Sequence, residues 1–192
     1  NRAVGYEVTK DVFAKIAFGG RDSGVLALIE PKEQGLDQLQ LKDKALVVVV
    51  ESVEKPGNLG AILRSCDGVG VDAVLVCDQQ TDIYNPNVIR ASLGTIFTLP
   101  VVNVTNEEAF AFLRKNKIKT CATLPEAKKV YSKIDFNQAV ALIVGSEDKG
   151  LSPFWESKSD FQVKIPMKGK ADSLNVSVST AVLLYEVLRQ RG

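Results

Sequence analysis

Asn58, Gly60 and Arg64 are the first residues whose types and spacing could do chemistry. They follow the apolar run ALVVVVE at 45–51, in the order N-x-G-x-x-x-R. A Pro-Gly pair between the run and the motif favours a turn, and Gly60 leaves room for another backbone or a ligand to approach closely. By itself, the spacing is more typical of a helix that Asn58 caps and that exposes an ordinary arginine.

Glu147 is the second candidate, an acid two residues beyond the apolar run AVALIVG at 139–145. Gly145 ends this run, and Gly150 permits a second tight turn before a Ser-Pro pair that can start a helix. Taken alone, this pattern favours an ordinary connection from a strand to a helix, with a solvated acid.

The third candidate set opens the last helix, where polar residues crowd the start of an otherwise apolar stretch, SLNVSVS at 173–179. Side chains that compete for backbone hydrogen bonds occur at such a start when something must be capped or held. Ile165 and Met167, just upstream, could contact a flat ring, and the following backbone could bind a polar ligand. The simpler alternative is that Ser173 caps the helix and that Asn175 satisfies a neighbouring loop.

Histidine is absent from all 192 residues. A Ser-His-Asp triad, a Cys-His pair and the zinc sites that need histidine are therefore excluded. Cys66, Cys77 and Cys121 lack the spacing of metal ligands, so no metal site is predicted, and their odd count argues against a closed disulfide framework. We expect buried, reduced cysteines and a reducing location, either the cytoplasm or an organellar matrix.

The charge balance excludes a strongly cationic chain, since 24 basic and 23 acidic residues leave a formal net charge of +1. A whole-chain footprint for nucleic acid is therefore missing, although a local basic patch is compatible with this balance. No apolar run reaches the roughly 18 residues that indicate a membrane span. The sequence starts at Asn1 rather than at a methionine, so we expect it to be trimmed or partial.

The elements that must position these residues alternate along the chain. Short apolar runs without strict polar alternation are typical of strands that are covered on both faces. Helix-like stretches separate them, which predicts an α/β fold with a mainly parallel sheet and helices on both faces. In such sheets ligands bind beyond the carboxyl ends of the strands, and each candidate set follows a strand. The predicted strands lie at 45–51, 73–78, 98–104, 119–124, 139–145 and 161–166, with a further candidate at 24–30 before a polar run that indicates a linker.

Taken together and in this order, N-x-G-x-x-x-R, G-x-E-x-x-G and S-L-N-V-S resemble the motifs of the SpoU/TrmH family of RNA 2′-O-ribose methyltransferases, within the SPOUT class. The resemblance covers about residues 44–191. It implies a deep trefoil knot in the C-terminal part of the chain and a homodimer. It also implies that residues 1–41 are the end of an N-terminal RNA-binding substrate domain plus a linker, and that residues 42–192 form the catalytic domain.

The reaction that the resemblance implies is transfer of the methyl group of S-adenosylmethionine to a ribose 2′-hydroxyl of rRNA or tRNA, with rRNA favoured. Arg64 is the residue implied to assist proton removal, although an arginine, with an ordinary pKa above about 12, needs a nearby RNA phosphate to act. Arg189 and Arg191 match positions that hold this phosphate together with Ser173. Since Arg189 lies about 24 Å along a helix from Ser173, the arginines would act across the dimer interface. The implied catalytic set is Arg64, Asn58, Glu147, Ser173 and Asn175, and the implied cofactor contacts are Thr123, Gly145, Ile165, Met167 and Leu174.

Two other classes of protein share some of these features. A non-catalytic knotted module that binds RNA or assists assembly would keep the fold, although the intact motif set argues against it. A nicotinamide-dependent α/β enzyme would need a G-x-G-x-x-G loop and an acidic residue placed for a ribose, and the first candidate loop has neither.

Overall fold

The computed structural model describes residues 4–20, 24–31 and 34–192. The chain divides into two compact units, Asn1–Lys32 and Glu33–Gly192. The first unit contains helix α1 (Lys10–Ile16), which Thr9 caps and in which no residue is buried. A short 3-10 turn follows at Phe18–Gly20.

The strand predicted at 24–30 is wrong. Residues 24–31 form neither helix nor strand, and Val25 and Leu28 are 78% and 94% exposed. The described part of this unit offers no strand with which the run could pair, and an isolated strand lacks the ladder hydrogen bonds that would stabilise it. The domain predicted at 1–41 also includes residues 1–3, 21–23 and 32–33, which lie outside the described residues, and its role in RNA binding stays a prediction.

The second unit is built on a sheet of seven strands. They are β1 (Leu46–Glu51), β2 (Ala73–Cys77), β3 (Val101–Val104), β4 (Lys119–Thr123), β5 (Lys129–Val130), β6 (Val140–Val144) and β7 (Phe161–Lys164). Their order is β3-β2-β1-β6-β4-β7-β5, and every neighbouring pair is parallel. The prediction of an α/β fold with a mainly parallel sheet is confirmed. Each of the six main apolar runs contains one strand, whereas β5 is too short for its pattern to show in the sequence.

Helices cover both faces of this sheet, as predicted. They are α2 (Pro56–Val69), α3 (Pro86–Ala91), α4 (Asn106–Lys115), α5 (Pro153–Lys158) and α6 (Val176–Arg191). The central strand β1 shows the reason for its valine run. Val48 and Val50 pack in a cluster with α2, α3 and α6, and Val47 and Val49 pack in a second cluster with α4 and α5. Since each buried valine contributes about 1.5–3 kcal/mol, polar residues are excluded from both faces of this strand.

The polar run that indicated a linker belongs in part to the second unit. Leu36, which starts a short 3-10 turn, and Leu39 and Leu41 pack against the cluster that contains α4 and α5. No helix in the described ranges is long and apolar enough to cross a membrane. The trefoil knot that the resemblance implies stays a prediction.

Candidate active site

Asn58 lies inside α2 rather than at its cap. The N-cap is Lys55, which makes no side-chain capping bond, and Pro56 occupies the first turn. The prediction of an Asn58 cap is therefore wrong, because proline, with its fixed φ and missing N–H, starts this helix without one. The Asn58 amide reaches out of the helix instead. Its Nδ2 donates to Oε1 of Glu147, and its Oδ1 accepts a hydrogen bond from Nδ2 of Asn175 at 3.2 Å.

Asn175 is the N-cap of α6, so the alternative in which Ser173 caps this helix is wrong. The Asn175 Oδ1 accepts hydrogen bonds from the backbone N–H of Ser177 at 3.0 Å and from its hydroxyl at 2.7 Å. The Ser173 hydroxyl instead donates to Oδ1 of Asp172 at 3.0 Å. The carboxamide of Asn175 thus bonds to its own helix through the oxygen and to the first motif through the nitrogen.

These contacts join the three candidate motifs into one polar chain, Glu147–Asn58–Asn175. The residues are far apart in sequence, and they meet because α2 follows β1, the Glu147 loop follows β6, and β1 pairs with β6 in parallel. The carboxyl ends of two adjacent parallel strands lie at the same edge of a sheet. The roles assigned to the individual residues stay predictions.

Arg64 is exposed on α2, about 9 Å further along the helix axis than Asn58. Its guanidinium has no hydrogen bond or ion pair with any other described residue. An arginine without a partner inside the protein is available to a ligand, and its fork of donors suits a phosphate.

A cavity of about 370 Å³ lies beside the polar chain. This volume falls within the range of about 300–1,000 Å³ that is usual for cofactor and ligand pockets. Its walls come from the ends of β4 and β6, from the residues after β7 and from the start of α6. All five predicted cofactor contacts line it, and so do Glu147 and Ser173. The five are Thr123, Gly145, Ile165, Met167 and Leu174.

Two features of the cavity wall fit a polar ligand with an apolar ring. The Thr123 hydroxyl is buried and has no hydrogen-bond partner among the residues that the structure describes, and such a group is costly unless a ligand or water completes it. Ile165 and Met167 are half-buried and offer apolar surface to a ring. The residues present therefore fit an adenosine-containing cofactor.

Gly145 has a structural reason to be glycine. A Cβ on this residue would lie 2.2 Å from the carbonyl carbon and oxygen of Gly150 and 2.5 Å from the N of Leu151. The loop after β6 therefore folds back against its own start, and antiparallel hydrogen bonds of 3.1 Å between Ser146 and Gly150 hold it in place. Gly60 is tight for a comparable reason, because a Cβ there would lie 2.5 Å from that of Ala91 in α3.

Arg189 and Arg191 make contacts that do not involve the cavity. Arg189 pairs with Glu186 through Nε and Nη2, both at 2.8 Å, and this pairing lowers the pKa of Glu186 to about 2. The guanidinium of Arg191 donates to the carbonyl oxygens of Lys44 and Gln138 at 2.7 Å and of Phe136 at 3.0 Å. Within the single chain, the structure does not bring either arginine to Ser173, and phosphate binding by both stays a prediction.

Sequence reasoning missed Glu51, the last residue of β1. Its side chain is buried, with an exposed fraction of 2%. It accepts hydrogen bonds from the N–H of Ser152 at 2.7 Å and from its hydroxyl at 2.6 Å, and from Nδ2 of Asn106 at 2.7 Å. An acid at the end of an otherwise apolar strand was the available signal, because a buried acid requires nearby donors.

The three cysteines do not line the cavity. Cys66, Cys77 and Cys121 are free and buried, as predicted. Burial raises the pKa of the Cys121 thiol to about 12 and also raises those of the other two thiols, so none is a ready nucleophile at neutral pH. No group of three or more histidine, cysteine, aspartate or glutamate side chains in the described ranges is placed to hold a metal ion.

Comparison with known proteins places this site in a family. Residues 45–185 match the model of the SpoU rRNA Methylase family. A Staphylococcus aureus protein named as a TrmH family tRNA/rRNA methyltransferase is 37% identical over 175 residues, which cover 88% of this chain and 71% of the relative.

Two solved structures are also similar to this chain. One, described as an RNA 2′-O ribose methyltransferase, is 44% identical with a TM-score of 0.77, and the match covers 83% of this chain and 62% of that one. The other is the SpoU methyltransferase AviRb from Streptomyces viridochromogenes in complex with AdoMet, at 33% identity and a TM-score of 0.79. That match covers 84% of this chain and 63% of that one, so the chain spans less than two thirds of either structure.

Proposed function

Because the chain belongs to the SpoU rRNA methylase family, we propose that it transfers the methyl group of S-adenosylmethionine to a ribose 2′-hydroxyl of rRNA. Transfer RNA is the second candidate substrate, since the S. aureus relative carries both in its name. The 2′-hydroxyl as acceptor and S-adenosylmethionine as donor draw support from the two similar structures, one described by the reaction and one solved with the cofactor.

One observation carries this proposal. The polar chain Glu147–Asn58–Asn175 stands next to the cavity that the five predicted cofactor contacts line. Polar groups that would orient a ribose therefore meet the groups that would hold the cofactor at one edge of the sheet. Catalysis of methyl transfer rests on this kind of alignment, because a positioned oxygen can attack without a strong base.

The cofactor would supply an electrophilic methyl group on a sulfonium. Thr123 is placed to donate its free hydroxyl hydrogen or to accept a bond from a ligand, and Ile165, Met167 and Leu174 would enclose the adenine. Asn58 and Asn175 would orient the ribose, and Glu147 would keep the Asn58 amide in its present direction. The exposed residues just before α6, including Ser173, would contact the RNA phosphate.

Arg64 would assist removal of the proton from the 2′-hydroxyl, with an RNA phosphate held near its guanidinium, and the proton would pass to solvent. The lack of an ion pair between Arg64 and any other described residue supports this role, because the guanidinium need not leave such a partner. We also propose that the chain acts as a homodimer, in which Arg189 of one chain meets the phosphate at the site of the other. Arg191 donates to three carbonyl oxygens of its own chain, so phosphate binding by this residue would require those bonds to be exchanged.

Titration calorimetry with S-adenosylmethionine, S-adenosylhomocysteine and NAD, followed by transfer of a labelled methyl group to rRNA and tRNA, tests the proposal. We expect the two methionine cofactors to bind, NAD not to bind and label to enter rRNA. Binding of cofactor without transfer to any RNA by the full-length protein would instead indicate the non-catalytic module. Tight NAD binding with no response to the methionine cofactors would end the methyltransferase proposal.

A further inference from the structure

The loop between β6 and α5 forms the longest continuous part of the cavity wall. Residues 145–151 all line the cavity, whereas Ser152, the next residue, does not. Ser152 is the N-cap of α5, yet its side chain makes no capping bond to that helix. Both its N–H and its hydroxyl donate instead to Glu51, at 2.7 and 2.6 Å. The far end of the cavity loop is therefore attached to the end of β1.

Glu51 is itself fixed by a buried network. Asn106 donates to it from Nδ2 at 2.7 Å, and the indole N–H of Trp155 donates to Oδ1 of Asn106 at 2.6 Å. The indole bond determines which end of the Asn106 amide faces Glu51. Glu51, Asn106 and Trp155 are 2%, 7% and 0% exposed, so water does not replace a lost partner cheaply.

We propose that Glu51 is a positioning residue for the cofactor cavity, which it shapes by holding Ser152 and with it the loop at 145–151. The proposal rests on the cofactor role of the cavity given above. The loop has little freedom to adjust, because the backbone of Gly150 and Leu151 lies against Gly145. A shift of Ser152 would therefore move the wall at both ends of the loop.

Glu51→Gln is the sharpest variant because it keeps the shape of the side chain. Whichever way the amide turns, its NH₂ group faces a donor, either the Ser152 N–H on one side or the Asn106 amide and Ser152 hydroxyl on the other. One end of the network is then left with two donors facing each other, which is unfavourable in a buried site. Ser152→Ala is a milder second variant that removes only the hydroxyl contact.

Asp160→Asn is the matched control. Asp160 also accepts hydrogen bonds from the N–H and the hydroxyl of one residue, Thr120, at 3.0 and 2.9 Å, and from a second side chain, Lys119, at 2.9 Å. It pairs with the start of β4 rather than with the cavity loop, and it does not line the cavity. Arg114 also donates to Asp160, at 3.4 Å, so the control loses a carboxylate that accepts four hydrogen bonds, one more than Glu51 accepts, away from the site.

Calorimetry with S-adenosylhomocysteine and steady-state methylation measure the effect. We expect Glu51→Gln to raise the Kd for S-adenosylhomocysteine by at least about tenfold, equivalent to about 1.4 kcal/mol. The KM for S-adenosylmethionine should also rise, while kcat at saturating cofactor should change by less than about twofold. Ser152→Ala should shift Kd in the same direction by a smaller factor, and Asp160→Asn should lower thermal stability without changing Kd.

Hydrogen exchange gives a readout that needs no cofactor. In the free protein, Glu51→Gln should speed exchange at the N–H groups of Ser146, Lys149 and Gly150, which bond within the loop at 3.1 Å, and Asp160→Asn should not. Wild-type Kd and exchange in folded Glu51→Gln would overturn the inference, and if Glu51→Gln does not fold, an unchanged Kd in Ser152→Ala would do so. A wild-type protein that binds neither methionine cofactor would overturn the proposed function instead, whatever the exchange data show.

Discussion

The bond between Asn58 and Glu147 gives a prediction that can be worked from the structure. A hydrogen bond to a charged group contributes about 1.5–3 kcal/mol when buried, but Glu147 is exposed and Asn58 half-buried. Water therefore replaces part of the lost bond, and we expect a coupling free energy of about 1 kcal/mol between the two side chains. The bond joins residues 89 positions apart, so its loss would loosen α2 from the cavity loop.

A double-mutant cycle measures this coupling. Asn58→Ala, Glu147→Ala and the double variant would be unfolded in urea, and the double variant should lose about 1 kcal/mol less than the sum of the single losses. Arg64→Ala is the control, since this side chain has no partner among the described residues, and it should change the free energy of unfolding by less than about 0.5 kcal/mol. Losses that add to within about 0.3 kcal/mol would refute the claim that the first two motifs are joined in solution.

Three further predictions concern the site and its support. Arg64→Lys keeps the charge but not the planar fork of donors, so the single-turnover rate of methylation should fall by at least about a hundredfold while the cofactor affinity stays near normal. A wild-type rate would show that Arg64 takes no part in proton transfer. Gly145→Ala puts a Cβ 2.2 Å from the backbone of Gly150, whereas the Cβ of Gly57→Ala meets nothing within 4 Å. Calorimetry should therefore show weaker cofactor binding for Gly145→Ala only. Equal affinities of the two variants would contradict the claim that the loop after β6 has no room for a side chain at residue 145. Burial raises the pKa of Asp160, but hydrogen bonds from Thr120 and Lys119 outweigh this effect and lower the pKa to about 2. The stability advantage of the wild type over Asp160→Asn should therefore be complete above about pH 4 and should vanish as the pH falls to about 2. A constant difference in the free energy of unfolding in urea across that window would contradict the assignment.

The sheet could be predicted from the sequence because its central strands are buried on both faces. Val47 to Val50 alternate between two cores, so the run had to be apolar throughout, and β2 and β6 are likewise buried along their whole length. The convergence of the motifs followed from parallel pairing, which brings the ends of β1 and β6 to one edge. A run of apolar residues that forms a buried strand can therefore be recognised from the sequence alone.

Contacts between distant residues were not visible in the same way. Asparagine is a common residue at helix N-caps, and only the position of Asn58 after Pro56 and its bond to Glu147 show that it joins two motifs instead. The need for glycine at 145 comes from the backbone of Gly150, and the role of Glu51 comes from Ser152, which lies 101 positions further along the chain. The run at 24–30 had the composition of a strand but no partner in the described part of its unit.

Analysis of the methylated nucleoside tests the central claim most directly. The full-length protein would be incubated with rRNA and S-adenosylmethionine that carries an isotopically labelled methyl group, and the RNA would be digested to nucleosides and separated by mass spectrometry. The proposed reaction predicts label in a 2′-O-methyl nucleoside, a phosphodiester resistant to alkali at that position, and loss of both with Arg64→Lys. Label on a base, or no label from a protein that binds the cofactor, would contradict it.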